Sequence, residues 1–109
     1  MALNRAEIAV PVLPKEAVPV PSLGGEVIVH GLLLRDRLRL FAEAREEGAV
    51  RYASVSSMLA ATVTGGDGKP LYTVDEWETF GALHLDEALD LFAVAKRLSG
   101  LDSEDAEKN

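Results

Sequence analysis

The chain has 109 residues, of which 48% are hydrophobic and 27% are charged. This is the size and composition of one globular domain, so we expect a single folded unit rather than a disordered or fibrous chain. The net charge of −7 disfavours nucleic acid and anionic membranes as partners, because both are bound mainly through clusters of Lys and Arg. The absence of cysteine excludes a disulfide framework, a thiolate zinc site and a thiol nucleophile.

Residues 1–14 are predicted to form a flexible lead-in. The segment has no long apolar run, so it is typical of neither a signal peptide nor a membrane anchor. Asn4 can cap a single helical turn through Ile8. Pro11 and Pro14 end any helix there, because proline lacks the backbone donor that a helix needs.

A β-hairpin is predicted around residues 22–25, Ser-Leu-Gly-Gly. The two runs beside this turn alternate with a period of two, and a Gly-Gly pair takes the positive φ of a tight turn. The alternating residues are Val18, Val20, Val27 and Val29. Prolines in the first run confine that strand to a sheet edge, where a missing backbone donor faces solvent.

Two helices are predicted after the hairpin. The first spans residues 33–47 and ends at Gly48. Its apolar stripe, opposite a charged face, consists of Leu34, Leu38, Phe41 and Ala42. The second spans residues 50–64, with an apolar face made of Tyr52, Val55, Leu59 and Val63. Met58 and two alanines leave this helix little polar surface, so we expect it to be buried on two sides or to meet a partner.

A third helix begins at Thr73, whose hydroxyl is predicted to form a capping box with Glu76 while Tyr72 and Trp77 form a hydrophobic staple. The last helix is predicted over residues 85–99, with Gly100 as its C′ residue. Its inward residues are predicted to be Leu85, Ala88, Leu89, Phe92 and Ala95.

These elements predict an α+β fold, in which an N-terminal β-hairpin packs on a small, mainly helical body of about four helices. The single folded domain is expected over residues 15–100. Residues 101–109 are expected to form an acidic, frayed C-terminal tail.

No constellation of residues indicates catalysis. The glycine-rich loop at 65–68 precedes Lys69, but a phosphate-binding loop needs Gly and Ser or Thr where this chain has Val63 and Pro70. His30 and His84 are not in a ligand-spaced cluster, and Ser54, Ser56 and Ser57 lack the Gly-x-Ser-x-Gly turn of a nucleophile. We therefore expect no enzyme activity, no metal site and no cofactor.

Apolar surface for protein partners is the remaining signal. The edge of the hairpin can accept another strand, and the doubly apolar helix can pack against a second copy. The candidate partner-binding residues are Val18, Val20, Val27, Val29, Tyr52, Met58 and Leu101.

Four motifs follow one another along the chain. Residues 20–32 read Val-Pro-x-Leu-Gly-Gly-x-Val-x-Val-x-Gly-Leu, and residues 35–37 read Arg-Asp-Arg. Residues 66–76 read Gly-Asp-Gly-Lys-Pro-Leu-Tyr-Thr-x-x-Glu, and Leu-Phe-x-x-x-x-x-Leu-Ser-Gly-Leu follows at 91–101. In this order the sequence resembles the tail assembly chaperone family of siphophages, from about residue 15 onward. It departs from that family at Leu33 and His84, where Ser or Thr often precedes a helix.

The resemblance implies a chaperone that binds the phage tape-measure protein, keeps it soluble and recruits tail-tube subunits. Such a protein associates with itself, works in the host bacterial cytoplasm and is absent from the mature virion. It is also made in a longer form by programmed ribosomal frameshifting, and codons GAA-AAA-AAC for Glu107-Lys108-Asn109 would contain a slippery heptamer. The alternative is a small bacterial adaptor or regulatory domain that binds one protein partner.

Overall fold

The structure, a computed structural model, describes residues 2–46 and 55–101. These residues form a three-stranded sheet and four α-helices, which confirms the predicted α+β class. In chain order the elements are β1 (Lys15–Val20), β2 (Gly25–His30), α1 (Leu34–Glu46), α2 (Val55–Thr62), β3 (Val63–Thr64), α3 (Val74–Leu83) and α4 (Leu85–Leu98). Single 3-10 turns precede β1 at Arg5–Glu7 and β2 at Pro21–Leu23. No helix in the described ranges is long and apolar enough to cross a membrane.

The predicted hairpin is present, with β1 antiparallel to β2 and Val18 opposite Val27. Gly24 takes the left-handed conformation that the turn requires, with φ of 80°. The sheet order β1-β2-β3 makes β1 an edge strand. The N–H of Gly31 donates to the Pro14 carbonyl at 3.0 Å, so by alternation the backbone groups of Pro19 point to the free edge. Pro19, which has no backbone N–H, therefore costs the sheet no hydrogen bond, as predicted for a proline at a sheet edge.

The predicted helix over residues 50–64 is wrong at its C-terminal end. Val63 and Thr64 form β3 instead and pair with Val29 and Ile28 of β2. Both are β-branched residues, which pack well on a pleated sheet and lose side-chain freedom in a helix. The predicted start of this helix, with Tyr52, lies outside the described residues, as does the predicted end of the preceding helix at Gly48.

The core lies between the inner face of the sheet and helices α2, α3 and α4. Its largest fully buried side chains are Trp77, Met58, Leu59, Leu91, Val20, Val29, Val63 and Thr62. The aromatic rings of Trp77 and Phe80 meet edge to face with centroids 5.3 Å apart. Helix α2 packs against α3 and α4, and none of its residues is exposed, which confirms that this segment has little solvent-facing surface.

The ends of α3 and α4 follow the predicted capping chemistry. The Glu76 N–H donates to the Thr73 hydroxyl at 3.2 Å, and the Thr73 N–H donates to the Glu76 carboxylate at 2.9 Å. Tyr72 packs on Trp77 with ring centroids 5.0 Å apart, completing the hydrophobic staple. At the end of α4 the Leu101 N–H donates to the Lys96 carbonyl at 2.8 Å across Gly100, whose φ is 73°.

The lead-in has one turn, but Asn4 does not cap it through its side-chain oxygen. Its amide nitrogen instead donates to the Glu7 carboxylate at 2.9 Å. Apolar side chains of this segment are exposed, namely Leu3, Ile8, Val10 and Val12.

The predicted inward face of α4 is wrong in part. Ala88 and Ala95 are buried, but Leu91 occupies the core in place of Leu85 and Leu89, which are 59% and 44% exposed. The stripe of α1 also faces solvent, with Leu34 70%, Leu38 60% and Phe41 47% exposed, whereas Leu40 is buried. A helical period identifies an apolar side without showing whether another element covers it.

Candidate functional site

Polar contacts attach the hairpin to both ends of α4. At the C-terminal end the Arg97 guanidinium donates to the Glu16 carboxylate at 2.8 Å, and the Leu32 N–H donates to the buried Ser99 hydroxyl at 3.0 Å. At the N-terminal end the turn residue Ser22 contacts His84 and Glu87. The hairpin therefore lies along the whole length of α4 and is held at each end.

Ser22, His84 and Glu87 combine the residue types of a catalytic triad, but their geometry differs from one. The Ser22 hydroxyl donates directly to one Glu87 oxygen, and the Ser22 N–H donates to the other at 3.1 Å. The His84 Nδ1 lies 3.2 Å from the hydroxyl and 3.8 Å from the carboxylate. In a triad the imidazole stands between the nucleophile and the acid, whereas here the hydroxyl proton is given to the acid itself. The cluster joins the turn to α4.

The Ser22 contacts also set the charge state of Glu87. The hydrogen bond from the Ser22 hydroxyl, followed by that from the Ser22 N–H, lowers the pKa of Glu87 below its ordinary value, and His84 lowers it further. Glu87 also lies in the first turn of α4, where a negative charge suits the helix dipole. The carboxylate form is thus favoured where the hairpin meets the helix.

His84 connects α3 and α4 without acting as a side-chain cap. Its N–H donates to the Phe80 carbonyl at 2.7 Å, and its own carbonyl accepts from the Ala88 N–H at 3.1 Å. The imidazole packs on the Phe80 ring and contacts Ser22. His84 therefore contacts the hairpin turn rather than capping α4. Within residues 2–46 and 55–101, no group of three or more His, Asp or Glu side chains is placed to hold a metal ion.

Most of the predicted partner-binding residues are in the core. Val20, Val27, Val29 and Met58 are buried, so their side chains cannot contact a partner while the domain keeps this fold. Val18 and Leu101 are partly buried and pack against the core. Tyr52 lies outside the described residues. At the free edge of the sheet, β1 exposes its backbone rather than the buried valine side chains.

Two helices carry rows of mostly exposed apolar residues that sequence reasoning did not separate from the core. The α1 stripe, defined as Leu34, Leu38 and Phe41, repeats at positions i, i+4 and i+7 on one face of the helix. The α4 stripe, defined as Leu85, Leu89 and Phe92, has the same spacing. Its two leucines are exposed, whereas Phe92 is partly buried and packs against the core, as predicted for that residue. Exposed apolar rows of this kind are candidate sites of protein interaction.

The two helices carry the same sequence pattern with opposite charge. Residues 34–41 read Leu-Arg-Asp-Arg-Leu-Arg-Leu-Phe, and residues 85–92 read Leu-Asp-Glu-Ala-Leu-Asp-Leu-Phe. Each exposed leucine is followed by arginine in α1 and by aspartate in α4. The penultimate leucine of each pattern, Leu40 or Leu91, is buried. This repetition was readable in the sequence, and comparing the two segments residue by residue would have revealed it.

The chain was compared with known proteins at three levels. No protein family model matches it, and no curated protein matches it in sequence. Among solved structures, it is similar to the tail assembly chaperone of bacteriophage HK97, with 21% sequence identity and a TM-score of 0.46. The match covers 79% of this chain and 88% of that chain. At this identity and TM-score the similarity does not establish family membership.

Proposed function

We propose that this chain is a tail assembly chaperone of a long-tailed bacteriophage. It binds the tape-measure protein, keeps it soluble, recruits tail-tube subunits and leaves before the virion matures. It associates with itself and acts in the host bacterial cytoplasm without catalysis or a cofactor. The motif order over residues 20–101 supports the family, and a frameshifted longer product belongs to the same proposal.

The observation that carries the proposal is the pair of exposed apolar stripes. A folded domain with leucine and phenylalanine rows on its surface is suited to binding amphipathic helices, which bury their own apolar face in the contact. The net charge of −7 keeps such a protein soluble despite these rows.

Co-expression with a helical fragment of the candidate tape-measure protein tests this function. We expect the fragment to be soluble and to co-purify with the chain, and to aggregate without it. The variant Leu34→Ser with Leu38→Ser should lose this effect, since coating a client needs the stripe surfaces. Leu83→Ser is the matched control, because Leu83 is 71% exposed but belongs to neither stripe. A fragment that is equally soluble and uncaptured without the chain refutes the proposal.

A further inference from the structure

Charged residues border the two apolar stripes in matching positions. Arg35 and Arg39 follow the leucines of the α1 stripe, whereas Asp86 and Asp90 follow those of the α4 stripe. All four residues are exposed. Successive residues are about 100° apart around a helix, so each pair lies on the same flank of its stripe.

Within the described parts of the chain, most of these charges form no ion pair. Arg39 forms one surface ion pair, with Asp36 of its own helix at 3.3 Å. Within residues 2–46 and 55–101, Arg35, Asp86 and Asp90 form no ion pair. A chain of net charge −7 thus displays an arginine-bordered apolar row on one helix and an aspartate-bordered row on another.

We propose that the α1 stripe of one copy docks on the α4 stripe of a second copy. This inference deepens the self-association part of the proposed function and rests on it. Apolar rows of equal spacing bury each other, and the arginine and aspartate flanks supply electrostatic complementarity that sets the pairing. A contact of α1 with α1, or of α4 with α4, would place like charges together.

The flank positions also determine the direction of docking. When two helices pack with their stripes facing each other, the residues that directly follow the stripe leucines lie on the same side of the contact only if the helices are antiparallel. Antiparallel docking therefore brings Arg35 near Asp90 and Arg39 near Asp86 of the other copy. In the same register Phe41 lies opposite Leu85, and Leu34 lies opposite Phe92.

Charge inversion tests this pairing of α1 with α4. Self-association of the full 109-residue chain is measured by sedimentation velocity, with no client present. We expect Arg35→Glu with Arg39→Glu, or Asp86→Lys with Asp90→Lys, to weaken self-association at least about tenfold, because like charges then face each other. An equimolar mixture of the two variants should restore association, as should all four substitutions in one chain. A monomeric wild type, an unaffected variant, or folded variants that fail to associate when mixed would overturn the proposal.

A neutral variant covers the case in which charge inversion unfolds the chain, since lysine in the first turn of α4 opposes the helix dipole. The neutral pair Asp86→Asn and Asp90→Asn should weaken association and reduce its salt dependence relative to wild type. An unchanged salt dependence would contradict the proposal.

Disulfide trapping tests the direction of docking, because the native chain has no cysteine. A chain with Phe41→Cys mixed with a chain carrying Leu85→Cys should form a mixed dimer on oxidation. Leu34→Cys mixed with Leu85→Cys is the control for parallel docking, and this mixture should form no mixed dimer. The reverse result would exclude the antiparallel arrangement. These experiments involve no client, so their failure is distinguishable from failure to bind the tape-measure protein.

Discussion

Gly31 packs directly against the backbone of Leu98, and a Cβ atom on Gly31 would lie 2.7 Å from the Leu98 carbonyl oxygen. This is where the end of β2 meets the last residue of α4. A backbone atom in a regular helix cannot give way as the end of a flexible side chain can. Glycine is required at position 31 because there is no space for a Cβ atom, and not because the backbone takes a left-handed conformation there.

Gly31→Ala should destabilise the domain by about 1–3 kcal/mol, the usual cost of overpacking a tight contact. Urea unfolding followed by Trp77 fluorescence measures this, because Trp77 is the only tryptophan and is 1% exposed. Gly66→Ala is the matched control, since a Cβ there meets nothing within 4 Å and the φ is not positive. We expect the control to change stability by less than about 0.5 kcal/mol. Equal effects of both substitutions would contradict the close contact.

The orientation of α1 is testable with two leucines of the same helix. Leu40→Ala should cost about 2–5 kcal/mol, because it removes a buried side chain and leaves a cavity. Leu38→Ala should cost less than about 1 kcal/mol, because Leu38 already faces solvent. Both replace leucine by alanine in the middle of α1, so helix propensity cancels in the comparison. A larger cost for Leu38→Ala would mean that the α1 stripe packs on the core.

The start of α3 offers a test with two threonines. Thr73→Ala should destabilise the domain by about 1 kcal/mol, because it removes the hydroxyl that accepts from the Glu76 N–H. Thr79→Ala is the control, since the Thr79 hydroxyl only donates to the Asp75 carbonyl within the helix at 3.3 Å. Alanine is the better helix former, so this control should be neutral or stabilising by about 0.5 kcal/mol. Thermal unfolding by circular dichroism measures both, and equal losses would contradict the capping box.

The features that sequence predicted correctly depend on residues close together in the chain. Thr73 and Glu76 are three positions apart, and the hairpin turn joins adjacent runs. By contrast, β3 was missed because Thr64 pairs with Ile28, 36 positions away. The apolar periodicity alone does not distinguish the last two residues of an apolar helix from a short strand. Their β-branched side chains were the available signal.

The candidate site was predicted less well, for a related physical reason. The periodicity of α1 and α4 identified their apolar rows, but whether a row is covered depends on how the helices dock. In both helices a leucine beside the row, Leu40 or Leu91, fills the core instead. The valines of the hairpin were assigned to partner binding, whereas the helices beneath the sheet bury most of them. The Ser22 contact with Glu87 joins residues 65 positions apart and had no sequence signal.

The hydrogen bonds from Ser22 to Glu87 predict a pH dependence of stability. Because they lower the pKa of Glu87 in the folded state, the folded state binds its proton less tightly than the unfolded state does. The stabilisation is therefore fully present above the ordinary Glu pKa of about 4.3 and is lost as the pH falls through the lower, folded value. Glu87→Gln should lower the melting temperature at neutral pH, and its difference from wild type should shrink on acidification.

Asp86→Asn separates this effect from the helix dipole. Asp86 lies in the same first turn of α4, but its carboxylate accepts no hydrogen bond from the hairpin in the described part of the chain. Melting curves of wild type, Glu87→Gln and Asp86→Asn should be recorded from neutral to acidic pH, at a concentration at which the chain is monomeric, because Asp86 also lies in the proposed contact between copies. Both carboxylates interact with the helix dipole. The loss of melting temperature in Glu87→Gln beyond that in Asp86→Asn therefore measures the contribution of the Ser22 contacts. Ser22→Ala should reproduce most of that extra loss, and identical curves for Glu87→Gln and Asp86→Asn would show that the contacts with the hairpin turn do not stabilise the fold.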